Sequence, residues 1–210
     1  PVRAADENVH KILKQVRSKV SSDFSLPDED WIKQSGPFKS AEAFFNSSFN
    51  NFGELLRYTD IKPDSRVLDY GCGLGRLAIP LSAYLAGPQG SYRGIDTDAD
   101  CIARNQEIFA GYPNFDFEHV NLYSKMYNKE GQAFETLAGR DFGGPFDLAF
   151  LFSVFTHILP EHCDLLLQIL RAQLCNTGQV FSSWFLLNED TERAIKAGTA
   201  SRKFAFKHGA

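Results

Sequence analysis

Residues 67 to 75 read VLDYGCGLG, and the apolar run LAIPLSAYL follows at 77 to 85. An apolar β-type run, three glycines at alternate positions and then a helix-forming run make a strand–turn–helix unit. Each glycine has its own use. Gly71 can take dihedrals closed to other residues, Gly73 lets a ligand approach the backbone, and Gly75 lets the next helix pack tightly.

The same alternation recurs downstream. GSYRGID (90–96), NFDFEHV (114–120), FDLAFLF (146–152) and QVFSSWFLL (179–187) read as further strands, and the glycine-led LGRLAIPLSAYL (74–85) and ADCIARNQEIFAGY (99–112) as helices. Residues 160–174 read as a helix closed by NTG at 176–178, and the polar stretch 121–145 as one long connection. Such alternation implies a parallel sheet with helices on both faces, whose ligand sits beyond the carboxyl ends of the strands where strand order reverses. At 210 residues, 43% hydrophobic and 23% charged, the chain suits one sizeable α/β domain.

Ahead of this core, Val9, Ile12, Leu13, Val16 and Val20 recur at helical spacing. Ala41, Phe44, Phe45, Phe49, Phe52, Leu55 and Leu56 form an aromatic stripe of similar period from Ser40 to Tyr58. Core packing is the first use of those rings, with a lid over a ligand as the second. The division expected is a helical extension or lid over 1–60 and a core over 61–210.

Charge narrows the partners. A net charge of −4 and a pI near 5.7 speak against a broad nucleic-acid face, which needs cations to neutralise phosphates. Cys72, Cys101, Cys163 and Cys175 show neither a CxxC pair nor histidines at zinc-site spacing, so no metal site is expected and the cytoplasm is the expected compartment. No apolar run reaches membrane-spanning length. Oligomeric state is not set by the sequence.

The glycine spacing is GxGxG rather than the GxGxxG of a pyrophosphate turn, and no Lys-Ser or Lys-Thr follows as a P-loop needs. Asp69, two residues before the first glycine, would repel a diphosphate but suits an ammonium group. Asp96 closes the second strand in YRGIDTD, where a carboxylate can accept both hydroxyls of an adenosine ribose. An adenosine and a cation together describe S-adenosylmethionine.

DYGCGLG with Asp96 resembles the class I S-adenosylmethionine-dependent methyltransferases, over roughly residues 38 to 187. The resemblance implies a three-layer Rossmann-like, doubly wound, mainly parallel sheet. It implies that Gly71, Cys72, Gly73 and Gly75 lie along the methionine end of the cofactor, with Asp69 acting on its amino group directly or through water. It further implies that Asp96 holds the ribose, that Thr97 and Asp98 flank the adenine, and that Asn121, followed by Leu122, takes the position of an adenine-pairing aspartate. Ser153 and the segment to His157 (SVFTH) fall where the family faces its methyl acceptor. An Asn/Asp-Pro-Pro-aromatic tetrad is absent there, which sets aside acceptors such as adenine or glutamine amino groups. His157 is the candidate to orient or deprotonate an acceptor, a small molecule on this reading. A cofactor-binding interaction module without turnover and a nucleotide-dependent oxidoreductase are the alternatives. Pro1 in place of Met leads to the expectation that the chain begins inside its gene product. With only 188–210 left after the fifth strand, the closing hairpin of the family is expected to be missing.

Overall fold

The computed structural model describes residues 2–20, 24, 26–34, 38–125, 127–184 and 188–200. In chain order the elements are α1 (Val2–Lys19), α2 (Glu29–Gln34), α3 (Ala41–Tyr58), β1 (Arg66–Tyr70), α4 (Ala78–Tyr84), β2 (Ser91–Asp96), α5 (Ala99–Ile108) and β3 (Phe115–His119). A 3₁₀ turn (Phe134–Leu137), β4 (Phe146–Leu151), α6 (Pro160–Gln173), β5 (Leu174–Ser182) and α7 (Glu189–Lys196) complete them. The five strands are all parallel in the order β3-β2-β1-β4-β5. The chain winds outward from β1 to β3, then returns to β4 on the other side of β1. The order therefore reverses between β1 and β4, and a cleft opens there above the carboxyl ends of the strands.

Alternation along β1 builds two cores. Val67 packs on one face with α3, α4 and α5, while Leu68 and Tyr70 pack on the other with α6. The first core absorbs the amino-terminal helices: Val16 of α1, Ile32 of α2 and Phe44, Phe49, Phe52 and Leu55 of α3 join it. The α3 stripe is thus used for packing, and Ser40 starts the helix by accepting the Ala43 amide at 3.1 Å. The second core is closed partly by the 121–145 connection, whose Leu122, Phe134, Leu137 and Phe142 are buried.

Two boundaries depart from the periodicity. The α4 helix begins at Ala78, four residues after the start of its sequence run, because Gly75 at φ +68 cannot continue a helix and residues 73–77 are spent on the turn. NTG at 176–178 does not close α6: Leu174 is already extended and pairs with Phe146, and the next pair is Leu148 with Gln179. The extra β5 residues form a bulge folded tightly enough that a Cβ on Gly178 would lie 2.8 Å from the Leu174 side chain. After β5, α7 is set by a capping box between Asn188 and Thr191 and ends before Gly198 at φ +71. Residues 201–210, the end of the stretch left after the fifth strand, lie outside the described residues, as do 185–187 of the fifth-strand run. No described helix is long and apolar enough to cross a membrane.

Candidate functional site

The loop after β1 is held from three sides. Gly71 and Cys72 donate their amides to the Ile95 carbonyl at 2.8 and 3.0 Å. Asn105, fully buried on α5, donates to the Gly73 carbonyl at 2.7 Å. The Gly73 amide in turn donates to Asp96 at 2.7 Å. These bonds fix three left-handed glycines, Gly71, Gly73 and Gly75, in one conformation. Their surroundings differ. A Cβ on Gly71 would strike Val154 at 2.6 Å and one on Gly75 would strike Asn105 at 2.6 Å, whereas one on Gly73 would meet nothing within 4 Å among the described residues. Gly73 thus turns bare backbone toward open space.

That space is a cleft of about 960 Å³ at the switch point, lined by Gly71, Cys72, Gly73, Asp96, Thr97, Asp98, Leu122, Ser153 and His157 among others. Such a volume lies at the upper end of ordinary ligand sites. Nine of the twelve residues singled out in the sequence meet there. Asp69, Gly75 and Asn121 do not. Gly75 faces α5, in keeping with a packing role. Asn121 is exposed and its amide oxygen accepts from Asn128 at 2.9 Å, so its side chain belongs to the 121–132 loop.

Asp96 sits at the wall with one carboxylate oxygen on the Gly73 amide and the other on the Asp98 amide at 2.9 Å. Burial raises its pKa, an effect the Asp98 and Gly73 amides oppose. The carboxylate keeps acceptor capacity for an incoming hydroxyl. Asp98 is the N-cap of α5, accepting from the Asp100 and Cys101 amides, which leaves its backbone at the rim.

Asp69 is enclosed behind the loop, and Tyr92, itself fully buried, donates its hydroxyl to it at 2.6 Å. Burial pushes the Asp69 carboxyl up to about 7, against the hydrogen bond from Tyr92 and the charge of Arg76. Cys72 lines the cleft, and burial pushes its thiol well up, which disfavours the thiolate.

The opposite wall comes from the ends of β4 and β5. Ser153 is a non-glycine residue at φ +64, its amide held by the Ser183 hydroxyl at 2.7 Å and its carbonyl by the Thr156 hydroxyl at 2.7 Å. Such a conformation costs of order 1–3 kcal/mol and persists where surrounding bonds over-determine it. It turns the chain so that Thr156 and His157 reach the cleft. The Phe155 ring stacks on Trp184 with centroids 4.0 Å apart. His157 holds its turn through its backbone amide, which donates to Val154 at 2.8 Å, while its ring meets the edge of Tyr127.

Sequence reasoning missed several lining residues. Tyr123, Ser124 and Tyr127 come from the 121–132 loop, which folds back through a bridge between Ser124 and Asn128. Ile32, Ser47 and Asn51 come from α2 and α3, and Arg76 from the turn before α4; of these, only Arg76 adjoined a motif in the sequence. Phe38, Phe44 and Trp184 line the cleft, but Phe45 packs instead against Phe49 and Arg17.

A switch-point cleft, a glycine loop open to ligand and a carboxylate closing β2 are features shared with nucleoside-binding α/β folds. Residues 68–180 match the family of methyltransferase domains. The chain belongs to that family and has the Rossmann-like fold of the class I S-adenosylmethionine-dependent methyltransferases.

Solved structures agree at the level of fold. Phosphoethanolamine N-methyltransferase 1 of Haemonchus contortus, in complex with phosphoethanolamine and S-adenosylhomocysteine, matches with a TM-score of 0.55 at 15% identity, over 100% of this chain and 37% of that one. Coclaurine N-methyltransferase bound to N-methylheliamine and S-adenosylhomocysteine (SAH) gives 0.52 at 14%, over 84% and 50%. DhpI in its SAM-HEP complex gives 0.51 at 17%, over 93% and 73%. The chain spans half or less of the length of the first two enzymes.

Proposed function

We propose that the chain is an S-adenosylmethionine-dependent methyltransferase acting on a small-molecule acceptor in the cytoplasm. The observation that carries this is the bond between the Gly73 amide and Asp96, which joins a loop open to ligand and a ribose-type carboxylate on one wall of one cleft. The residues present fit the cofactor. Asp96 would hold the ribose hydroxyls, the Thr97–Asp98 backbone and Leu122 would flank the base, and Gly71 to Gly73 would lie along the methionine end. The bound cofactor would supply a methyl group on a sulfonium. Asp69 contributes from behind the loop, through a negative charge that favours the cationic end of such a ligand. Gly75 contributes by seating the loop on α5, and Asn121 by bracing the 121–132 loop.

The acceptor would enter between Ser153, Thr156, His157 and the aromatic wall of Phe38, Phe44 and Trp184. In-line methyl transfer depends largely on alignment and exclusion of water. Residues 1–60 serve on this reading as the helical extension that closes the cleft, supported by the placement of Ile32, Phe38, Ser47 and Asn51 on its wall.

Calorimetry with SAH tests the cofactor reading. The expected result is saturable binding that Asp96→Ala weakens by roughly 1.5–3 kcal/mol, the range for hydrogen bonds to a charged group. Unchanged affinity in the variant would remove the ribose assignment. A methyl-donor assay over an acceptor panel then tests turnover, and binding without any acceptor-dependent consumption would mark a binding module instead.

His157→Ala should lower kcat by roughly 10²-fold, the lower range for a positioned proton acceptor, with SAH affinity nearly unchanged. Because the turn is held by the His157 backbone amide, stability should hold as well. Parallel losses of melting temperature and activity would show that the ring only supports the turn.

A further inference from the structure

The acceptor-side wall of the cleft is a turn carried on two strands. β4 and β5 pair as far as Leu151 with Ser182, and the Ser183 amide extends the ladder by donating to the Leu151 carbonyl at 3.1 Å. Past that point the two chains part. The chain leaving β4 reverses at Ser153, whose φ of +64 is a conformation that residues with a side chain disfavour. Two bonds lie inside the turn. Thr156 Oγ1 donates to the Ser153 carbonyl at 2.7 Å and the His157 amide to the Val154 carbonyl at 2.8 Å. They travel with the turn and do not place it. Among the described residues, the hydrogen bond that ties the turn to another strand runs from the Ser153 amide to Ser183 Oγ, at 2.7 Å. The next residue, Trp184, stacks on Phe155 with planes 13° apart. Ser183 thus anchors the amide of the strained residue itself.

We propose that Ser183 is a positioning residue for His157. By accepting the Ser153 amide it holds that residue in its left-handed form, and the turn then carries the imidazole to the cleft, where Ser183 also lies on the wall. The inference rests on the acceptor-side role given to His157 above and extends it to a second strand. Two tendencies oppose each other at Ser153. A non-glycine residue relaxes by leaving φ +64, but doing so swings its amide off Ser183 and leaves a donor without that partner. Without the Ser183 oxygen only the first tendency remains, and the turn drifts from its place.

Proton–carbon NMR of the histidine rings reads the position of the imidazole without an acceptor. The Tyr127 ring, its centroid 6.0 Å from that of His157, adds a ring-current offset to the His157 signal, which His157→Ala assigns. In Ser183→Ala that signal should broaden and lose the offset, while those of His119 and His162 stay in place. Ser183→Thr, which keeps the hydroxyl, should restore the wild-type spectrum. Adding Ser153→Gly to Ser183→Ala should bring the signal back toward its wild-type place, because glycine takes φ +64 without the clasp. Calorimetry with SAH should give Ser183→Ala an affinity within about threefold of wild type, since Asp96 ends β2 and β1 stands between β2 and β4. In the methyl-donor panel, Ser183→Ala should lower kcat by about tenfold in the wild-type chain and by less than about twofold in His157→Ala, because it acts through that ring. A His157 signal unmoved in Ser183→Ala would overturn the proposal, and a lower melting temperature beside it would leave Ser183 a purely structural group. Additive losses of kcat, or equal disturbance with and without Ser153→Gly, would overturn it as well. Wild-type turnover in His157→Ala is a different failure: the reading of His157 falls first and takes this inference with it.

Discussion

Gly73→Val is expected to abolish SAH binding, and Gly73→Asn to cost about 3 kcal/mol of affinity, roughly a hundredfold. The two substitutions test different things. At φ +49 a β-branched side chain is strained, so part of the loss in the valine variant would come from the fold. Asparagine tolerates the left-handed region, and no atom of the described residues lies within 4 Å of a Cβ built on Gly73. Its side chain therefore fits the free protein and occupies only the volume assigned to the ligand. Calorimetry paired with a thermal melt checks this, with a melt close to wild type and binding largely gone as the expected pair. Wild-type affinity in the asparagine variant would move the ligand away from this loop.

How much of this site could be read from the sequence depends on whether a residue acts through local chain geometry or through what the fold brings beside it. The β1 strand, the glycine turn and Asp96 at the end of β2 are local, and they stand where VLDYGCGLG and YRGID put them. Asp69 is different. Strand alternation turns it away from the cleft, and only the parallel pairing of β1 with β2 reveals that Tyr92 closes over it. Alternation also separates exposed Asn121 from buried Leu122, its neighbour. The 121–145 segment reads as polar because its average conceals Phe134, Leu137 and Phe142, each too isolated to set a period, yet together they close a core. Ser47 and Asn51 lie on a helix whose sequence signal is its phenylalanine stripe, and their hydrogen-bond partner, Arg76, comes from across the interface.

Asp69→Asn should stabilise the free protein at alkaline pH, by an amount that shrinks on acidification. Burial raises the folded-state pKa from 3.8 to about 7, so between those values the folded chain holds a proton that the unfolded chain has released. The folded state then binds more protons, and wild-type stability falls as pH rises through that window, levelling off above it. At about 1.36 kcal/mol per unit, the loss across the window is about 4 kcal/mol. Asparagine is neutral at every pH and its oxygen can still accept from Tyr92. Its amide group, however, brings a donor into a buried site, at a cost of about 1–3 kcal/mol. The gain exceeds that cost, leaving a net stabilisation of about 1–3 kcal/mol at pH 8. Near pH 4 only the cost remains, so the sign of the difference should reverse within the window. Urea unfolding of both proteins from pH 4 to pH 8 measures this directly, and a pH-independent difference would mean that Asp69 does not titrate in the window. Should the reversal be found together with weaker SAH binding by Asp69→Asn at pH 8, the carboxylate would be a group that costs the free fold stability while placing negative charge behind the glycine loop for a cationic ligand.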